Sequence, residues 1–388
     1  TFLRSAAAAA TAAALPLPAL RADAFTTLAR AGQATDDEDY WGEIQRAFDL
    51  DRTLINLNNG GCSPAPSHVL DQMVRDLRFS NQLPVEHMWR VIEPRIETVR
   101  RELAREFGCD PEELAITRNA SESNLTMIMG TDFARGDEVI VTTQNYPRML
   151  SGWDQRAARD GLVIKRIRMT TPVPSDDYFV QQIENAITPR TRAIEVMHVN
   201  NVTGHVAPVR RIAELGRFHR IKVFVDGAHA FAHFPFNRDD LQCDYYGTSL
   251  HKWLLAPIGT GFLYVKRDRI AELWPMMGGA PQSMRGDIRK YEEIGTHPAA
   301  NHNAIAAALA FHRAIGAERK IARLRLLRDR WARRLTSESP RVKVLTPLEG
   351  AQAGGLALVH VDGLDTAKLQ QWLWTKHRII TTPILHPE

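Results

Sequence analysis

Short apolar segments with strand character alternate with longer helical segments over most of this 388-residue chain. Such alternation argues for an α/β fold in which helices cover both faces of a mainly parallel sheet. The strand candidates are residues 114–117, 138–142, 163–167, 193–198, 222–225, 244–247 and 261–265. The last two candidates are close in sequence, so the pattern allows one strand of that pair to run antiparallel to the rest.

The sequence on either side of this region predicts a second, smaller domain of α+β type. Helices are predicted at 36–48, 301–315, 320–335 and 366–376, with short strands at 54–57, 342–345 and 356–361. We therefore assign residues 58–299 to a large domain, and residues 25–57 and 300–388 to a small one. Residues 85–107 predict one long amphipathic helix, which suits a domain connector or a dimer surface.

The first 24 residues have the layout of an export signal. Arg4 precedes an apolar, alanine-rich stretch at 6–20, and residues 22–24 form the A-x-A pattern of a cleavage site. The apolar stretch is short for a membrane span and contains two prolines, so we expect cleavage and no stable membrane insertion. A twin-arginine pair before Thr1 would fit export of a folded protein to the periplasm. An unstructured leader on a cytoplasmic protein is the alternative.

Charge and cysteine content argue against several other classes of protein. The net charge is +4, and the clearest basic run, 319–334, spaces its arginines as a helix does, which predicts a solvated helix face rather than a nucleic-acid site. Cys62, Cys109 and Cys243 are too scattered for a disulfide framework and are expected to be free thiols. None of the fourteen histidines shows the spacing of a metal site, so no metal is expected.

Lys252, in the sequence Ser-Leu-His-Lys-Trp, lies between two strand candidates. A lone lysine in a loop is most often a solvated surface charge. However, Asp226 closes an apolar run about two dozen residues earlier and should lie at the carboxyl end of a strand, where open α/β sheets bind their ligands. Such a lysine can form a Schiff base with an aldehyde cofactor, and such an aspartate can hold the ring nitrogen. Together the two residues predict pyridoxal phosphate.

A polar turn at 117–123 follows one strand candidate and leads into a helix predicted at 124–129. Free N–H groups at the start of that helix would bind the cofactor phosphate, although an ordinary helix N-cap has the same pattern. Ser249 and His251 stand beside the lysine and would add donors to the same phosphate.

Three further residues follow strand ends and would face the cofactor ring. Tyr146 would lay its ring on the cofactor, although an aromatic residue at such a position is more often part of the core. Asn201 would donate its amide to the ring hydroxyl, and His229, three residues after Asp226, would face the same space. The prediction therefore depends on candidate cofactor residues at the ends of several strands, and not on one motif.

Six motifs together carry a resemblance to a known family. They are 117–122, 144–147, 200–204, 226–230, 248–253 and 295–296. With them the chain resembles the class V aminotransferase-fold enzymes of fold type I, and most of all their isopenicillin N epimerase-like branch. The resemblance covers the chain from about Asn58 to Thr296, and as a set the motifs are specific to the family but not to one reaction.

The resemblance implies a role for individual residues. Lys252, Asp226 and His229 would be catalytic. The cofactor would be bound by Ala120, Ser121, Tyr146, Asn201, Asp226, His229, Ser249, His251, Lys252 and Thr296. Of these, Ala120 and Ser121 would bind the phosphate, Tyr146 would stack on the ring, and Asn201 would lie with His229 near the ring hydroxyl. Thr296 would reach the phosphate of the neighbouring subunit, which predicts a homodimer.

Two departures from the family pattern bear on the reaction. Cysteine desulfurases of the family carry a nucleophilic cysteine near the carboxyl end, and the corresponding residues 377–382 contain none, so desulfurase activity is not expected. Many relatives also have an arginine for the substrate carboxylate in their last segment, and we expect that residue beyond Glu388. Asn59, Arg148 and Arg285 are weaker candidates for contact with the substrate.

The reaction itself stays open at the level of sequence. An amino acid would displace Lys252 from the cofactor, and the freed lysine would remove the α-proton. Return of the proton from the opposite face gives epimerisation or racemisation, which the resemblance favours. Reprotonation at the cofactor gives transamination, and loss of a β- or γ-substituent gives a C–S or other lyase. A non-catalytic cofactor-binding protein is a further alternative, disfavoured because both Lys252 and Asp226 are present.

Overall fold

The computed structural model describes residues 35–386, and the export-signal prediction lies outside them. Eleven strands are assigned in this part of the chain: β1 (Ile55–Asn56), β2 (Leu114–Thr117), β3 (Glu138–Thr142), β4 (Val163–Ile167), β5 (Thr191–Met197), β6 (Lys222–Asp226), β7 (Tyr245–Ser249), β8 (Gly261–Val265), β9 (Val342–Val344), β10 (Val359–Val361) and β11 (Ile379–Ile380). Seven of them form the main sheet in the order β2-β8-β7-β6-β5-β3-β4.

The sheet confirms the predicted α/β architecture. Strands β7, β6, β5, β3 and β4 pair in parallel, whereas β8 runs antiparallel to both of its neighbours, β7 and β2. Six strands therefore point the same way and end at one edge. The bounds of all seven strands agree with the sequence prediction to within two residues at each end.

Twelve α-helices surround this sheet and the smaller sheets in the described part of the chain. They are α1 (Glu38–Arg46), α2 (Ser67–Gln82), α3 (Pro84–Glu86), α4 (Ile96–Phe107), α5 (Ala120–Gly130), α6 (Pro147–Asp160), α7 (Asp176–Ala186), α8 (Val209–His219), α9 (Arg238–Leu241), α10 (Ala299–Ile315), α11 (Ala317–Glu338) and α12 (Thr366–His377). No helix within residues 35–386 combines the length and the apolar character needed to cross a bilayer.

The single long helix predicted at 85–107 is wrong. The chain instead passes from α3 through a π-helical turn (His87–Ile92) and a 3₁₀ turn (Glu93–Arg95) before α4 begins. Pro94 explains the break, because its nitrogen cannot donate the bond that would continue an α-helix through this point.

Apolar side chains are buried on both faces of the main sheet. Along β6, Val223 and Val225 belong to one core cluster and Phe224 to the other. Because neighbouring residues of a strand point to opposite faces, a strand buried on both sides reads as a continuous apolar run. This is the pattern that ends at Asp226.

The segments before and after the main sheet are joined to each other. Strand β1 pairs in parallel with β11, and β9 pairs antiparallel with β10. Helix α1 packs on α10 through Tyr40, Ile44, Phe311 and Ile315. The exact domain boundaries at residues 57 and 299 stay predictions.

The basic run at 319–334 forms most of α11, but its prediction as a solvated face is wrong for part of the helix. Lys320, Arg323 and Arg328 are buried. Arg323 pairs with Glu38, and Arg328 donates to the carbonyls of residues 348 and 354. Arg323 therefore ties α11 to α1, and Arg328 ties α11 to residues 348 and 354. In the described part of the chain, Cys62, Cys109 and Cys243 are free thiols, and no group of three potential ligands could hold a metal ion.

Arg100 is the most deeply buried cation of the large domain, with 1% of its side chain exposed. Its guanidinium donates to the Leu114 carbonyl and forms a bidentate salt bridge with Glu292. One oxygen of the Glu292 carboxylate also accepts a hydrogen bond from the Ile116 N–H. The ion pair thus links α4 to β2 and to the 3₁₀ turn at Ile288–Tyr291.

Replacement of Arg100 by methionine should lower the free energy of unfolding by about 3 kcal/mol, because it leaves the Glu292 carboxylate without its cation. Urea unfolding followed by circular dichroism measures the loss. The neighbouring Arg101 is exposed, so Arg101→Met should change the same free energy by less than about 0.5 kcal/mol. Equal effects of the two substitutions would contradict a structural role for the buried ion pair.

Candidate active site

A cavity of about 370 Å³ opens at the edge where the parallel strands end. Its walls come from the ends of β2, β3, β5, β6 and β7. The lining residues are Gly61, Asn119, Ala120, Ser121, Asn124, Tyr146, Arg148, Met197, Val199, Asn201, Asp226, Ala228, His229, Ser249, His251 and Lys252. Ten of the residues singled out from the sequence are among them, so the structure brings most of the predicted site together.

Lys252 and His229 are in direct contact in this cavity. The Lys252 Nζ lies 2.9 Å from His229 Nε2. Burial lowers the pKa of Lys252, although the charge of Asp226 opposes this shift. Burial also holds the pKa of His229 well below its ordinary value, and the lysine charge adds to that shift. A neutral His229 therefore accepts a hydrogen bond from the lysine amine, and its own proton resides on Nδ1.

The backbone around Lys252 is held from two sides. Ser63, from the N-terminal part of the chain, donates its hydroxyl to the Lys252 carbonyl at 2.7 Å and its N–H to the His251 carbonyl at 2.9 Å. The Thr260 carbonyl accepts the Leu250 N–H and the Nδ1 of His251. The reactive amine therefore projects from a loop whose backbone is fixed, which keeps Nζ aimed into the cavity.

Asp226 is the last residue of β6 and only 5% exposed. Burial raises the pKa of its carboxyl, whereas the N–H of Ala228 at 3.0 Å, the side chain of Asn124 and the charge of Lys252 lower it. These groups favour the carboxylate form in an otherwise apolar setting. A protonated ring nitrogen would be a further cationic partner of this carboxylate.

Asn124, which no sequence motif indicated, hydrogen-bonds to Asp226 from within α5. The helix comes this close because residue 247 on β7 is glycine. A Cβ at that position would collide with the Asn124 side chain. Asn124 is a helix residue without a strand-end pattern, so only the packing of α5 on the sheet shows its role.

The predicted phosphate cup is the amino terminus of α5, which begins at Ala120 and not at residue 124. Asn119 caps the helix by accepting the Glu122 N–H. The Ala120 N–H donates to Ser249 Oγ at 2.9 Å, and the structure pairs the Ser121 N–H with no acceptor among the described residues. An uncommitted N–H at a helix start is suited to bind an anion, since the helix dipole adds its positive end.

Tyr146 and Asn201 face the cavity from the other side. Tyr146 is 37% exposed and caps α6, so it is not a core residue. Its hydroxyl accepts a hydrogen bond from Arg148 Nε at 3.3 Å. The Oδ1 of Asn201 is buried and has no partner among the described residues, and the same is true of His229 Nδ1. Such atoms are suited to bind the polar groups of a ligand.

Three predicted residues do not line the cavity. Thr296 is exposed on the loop before α10. Asn59 is exposed and bonded to Asn56 instead of facing the cavity. Arg285 donates to the Ala271 carbonyl and lies over the Trp274 ring. Of the three weaker substrate candidates, only Arg148 lines the cavity, and a substrate contact for Asn59 or Arg285 stays a prediction.

A second acid, Glu195, lies beneath the site on β5. It faces the same side of the sheet as Asp226, because Met197, two residues further on, is the register partner of Asp226. The indole N–H of Trp153 donates to its carboxyl. Burial and the nearby charge of Asp226 raise the pKa of Glu195 to about 8, so it is neutral at lower pH. Below that pH, Glu195 therefore adds no negative charge next to Asp226.

These residues fit pyridoxal phosphate. The aldehyde would meet the Lys252 amine, and the ring nitrogen would meet the Asp226 carboxylate. The phosphate would accept hydrogen bonds from the Ser121 N–H at the start of α5 and from the hydroxyl of Ser249, which lies next to it on β7. The two buried atoms without partners, on Asn201 and His229, are left for other polar groups of the ring.

Comparison with known proteins agrees with this site. The family model of class-V aminotransferases matches residues 55–382. The isopenicillin N epimerase of Amycolatopsis lactamdurans is 31% identical over 363 residues, which cover 89% of this chain and 90% of that protein. A probable cysteine desulfurase of a Synechocystis strain is 27% identical over 285 residues, covering 68% of this chain and 66% of the other.

Among solved structures, a variant of the cystine C–S lyase C-DES with glycine linked to its PLP cofactor has a TM-score of 0.76. The match covers 87% of this chain and 90% of that one at 24% identity, so the likeness concerns the fold. The fold, the match over residues 55–382 and the fit of the cavity agree with each other. The chain therefore belongs to the class V aminotransferase family of pyridoxal-phosphate-dependent enzymes.

Proposed function

We propose that the chain epimerises or racemises an amino acid at its α-carbon, as an isopenicillin N epimerase-like enzyme. The observation that carries this proposal is the placement of two proton-carrying side chains on opposite walls of the cavity. Lys252 follows β7 and Tyr146 follows β3, with β6 and β5 between them. The alignment with the isopenicillin N epimerase of Amycolatopsis lactamdurans covers 90% of that protein, which supports the same reaction.

The residues of the cavity suit removal of an α-proton. Pyridoxal phosphate, when bound, supplies an aldehyde that condenses with amines and a ring that withdraws electrons from the bond to be broken. Because burial lowers the pKa of Lys252, a larger share of its amine is neutral and able to take up a proton. The Asp226 carboxyl would face the ring nitrogen, and His229 orients the amine through its Nε2.

Inversion of the α-carbon needs a proton from the face opposite Lys252. The Tyr146 hydroxyl is the group that supplies it in our proposal, and the Arg148 guanidinium stabilises negative charge on that oxygen through their hydrogen bond. Loss and return of the proton then involve different side chains. A lysine alone would return the proton to the face from which it came.

Two other reactions of the family remain as alternatives. An aminotransferase would use the same lysine but deliver the proton to the cofactor. A C–S lyase or desulfurase would act on a sulfur-containing amino acid, and desulfurases are among the relatives, so the expectation against that activity is unsupported. Cys62 is exposed, and it lies close enough to Lys252 to affect the pKa of that amine.

Incubation of the holoenzyme with a panel of L-amino acids in deuterated water, with and without an α-keto acid, separates these reactions. We expect deuterium at the α-carbon together with racemisation, which mass spectrometry and chiral chromatography detect. Keto-acid-dependent amino transfer would replace the proposal with an aminotransferase. Release of sulfide or pyruvate would replace it with a lyase, and loss of sulfide release in Cys62→Ser would identify a desulfurase.

If Lys252 and Tyr146 act on opposite faces of the α-carbon, substitutions of these two residues should change the reaction in different ways. Lys252→Ala should lose both deuterium exchange and racemisation, by roughly a hundred- to ten-thousand-fold, because the base is absent. Tyr146→Phe should keep exchange with retention of configuration while racemisation falls, because Lys252 still removes and returns the proton on one face. The two rates are measured on the same substrate.

Tyr178→Phe is the matched control, because its hydroxyl bonds Thr170 and Tyr178 is not among the residues that line the cavity. Its exchange and racemisation rates should equal those of the wild type. If Tyr146→Phe lowered exchange and racemisation equally, the assignment of Tyr146 as the second acid would be wrong.

We further propose a homodimer in which Thr296 reaches the phosphate bound by the other subunit. The supporting observation is that Thr296 is exposed and does not line the cavity of its own subunit. Thr296→Ala should weaken pyridoxal phosphate binding by at least about ten-fold, because a hydrogen bond to a charged group contributes ~1.5–3 kcal/mol. Absorbance titration of the cofactor-free protein measures the affinity, and Thr375→Ala, an exposed threonine on α12, is the control.

Hybrid dimers test the exchange between subunits. A hybrid of one Lys252→Ala chain and one Thr296→Ala chain should contain one site with both Lys252 and Thr296, and that site should bind the cofactor as the wild type does. An unrestored affinity in the hybrid, or a monomer in sedimentation, would contradict the proposal.

A further inference from the structure

Residues 352–356, here named the clasp, cross from the C-terminal region to two turns that carry site residues. The Val206 N–H donates to the Gln352 carbonyl at 2.8 Å, and His205 forms a bridge with Ala353. The Gly355 N–H donates to His233 Nε2 at 2.7 Å. The clasp therefore contacts the turn after β5 and the turn after β6 at the same time.

Two arginines of α11, the buried Arg328 and the partly buried Arg325, hold the clasp on the side of that helix. Arg328 donates to the Gly354 carbonyl at 2.6 Å, and Arg325 donates to the Ala353 carbonyl at 3.2 Å. Both carbonyls are thus satisfied by cations, which make stronger hydrogen bonds than neutral donors. The position of the clasp is therefore tied to α11.

The first turn that the clasp contacts contains Asn201. Gly204 in this turn has a φ of +73°, and a Cβ there would lie 2.5 Å from the Leu356 carbonyl oxygen. The hydroxyl of Thr346, just before the clasp, donates to the Thr203 carbonyl at 2.5 Å. The turn and the C-terminal region are therefore in close backbone contact, two to three residues after Asn201.

The second turn is reached through His233, whose ring is buried between the clasp and the site. Its Nε2 accepts the Gly355 N–H, so its proton resides on Nδ1, which donates to the His229 carbonyl at 2.7 Å. Burial lowers the pKa of His233 to about 3, which agrees with a neutral ring that donates once and accepts once. His229 is the residue that holds the Lys252 amine.

The ring of His233 also supports the residue next to the reactive lysine. It stacks on the Trp253 indole with ring centroids 3.6 Å apart and planes 5° from parallel. Residue 354 is glycine, and a Cβ there would collide with the His233 ring. One imidazole therefore contacts the clasp, the His229 backbone and the lysine loop.

We propose that His233 is a positioning residue and that the clasp, through His233 and the turn after β5, sets the positions of His229 and Asn201 for the bound cofactor. Correct docking of the C-terminal region is then a condition for holding pyridoxal phosphate firmly. This role of His233 depends on the assignment of pyridoxal phosphate as the cofactor but not on epimerisation. Measurements of cofactor binding therefore test it whichever reaction the enzyme catalyses.

Two substitutions of His233 distinguish hydrogen bonding from packing. His233→Phe keeps a flat ring on Trp253 but removes the donor and the acceptor, whereas His233→Gln keeps a donor and an acceptor but loses the stack. We expect His233→Phe to weaken pyridoxal phosphate binding by the cofactor-free protein roughly ten- to a hundred-fold. Its kcat should fall while the KM for the amino acid changes little, and His233→Gln should recover part of both losses.

Tyr291→Phe is the control for loss of a buried hydrogen-bonding group, because that hydroxyl is buried, bonds two carbonyls and lies away from the cavity. Its cofactor affinity should match that of the wild type at a comparable change in thermal stability. Thr346→Val removes the bond to Thr203 without touching His233 and should also weaken cofactor binding. The proposal is overturned if His233→Phe and Thr346→Val bind the cofactor normally, or if His233→Gln is the weaker binder of the two His233 variants.

Discussion

Burial of the Asp226 carboxyl at the end of β6 is the constraint on which the rest of the site depends. A carboxylate with so little contact with water is costly unless hydrogen bonds and cations surround it. The chain provides the Ala228 N–H, the Asn124 side chain and the charge of Lys252. A protonated ring nitrogen would add a direct cationic partner, so the cofactor and the fold stabilise each other at this point.

Several features of the fold follow from the need to surround this carboxyl. Glycine at residue 247 lets α5 approach β7, which brings Asn124 to Asp226 and the helix start to the phosphate position. Ser63 fixes the lysine loop from the N-terminal part of the chain, and the C-terminal clasp supports the loop through His233. Segments from both ends of the chain therefore support one amine.

The residues that the sequence predicted best are those that directly follow strands. Asp226 ends β6, and Tyr146 and Lys252 follow β3 and β7 by a few residues. The carboxyl ends of parallel strands meet at one edge of the sheet, so the strand pattern was sufficient to place these residues together. Asn124 and Glu195 lie inside a helix and a strand, and their roles depend on how α5 and β5 pack. No local pattern reports such packing.

Contacts between distant segments account for the remaining errors. Arg323 and Arg328 look like part of a solvated basic face, yet their partners are Glu38 and carbonyls of the C-terminal region. The clasp joins residue 355 to residue 233, a contact that neither composition nor periodicity indicates.

We expect Lys252 to hold pyridoxal phosphate covalently, with the cofactor ring against Asp226. Borohydride reduction of the holoenzyme, followed by proteolysis and mass spectrometry, tests this most directly, because reduction makes the link between cofactor and amine permanent. We expect one pyridoxyl group per chain, on the peptide that contains Lys252. A label on another lysine, such as the buried Lys320, or no label after incubation with excess cofactor, would contradict the account.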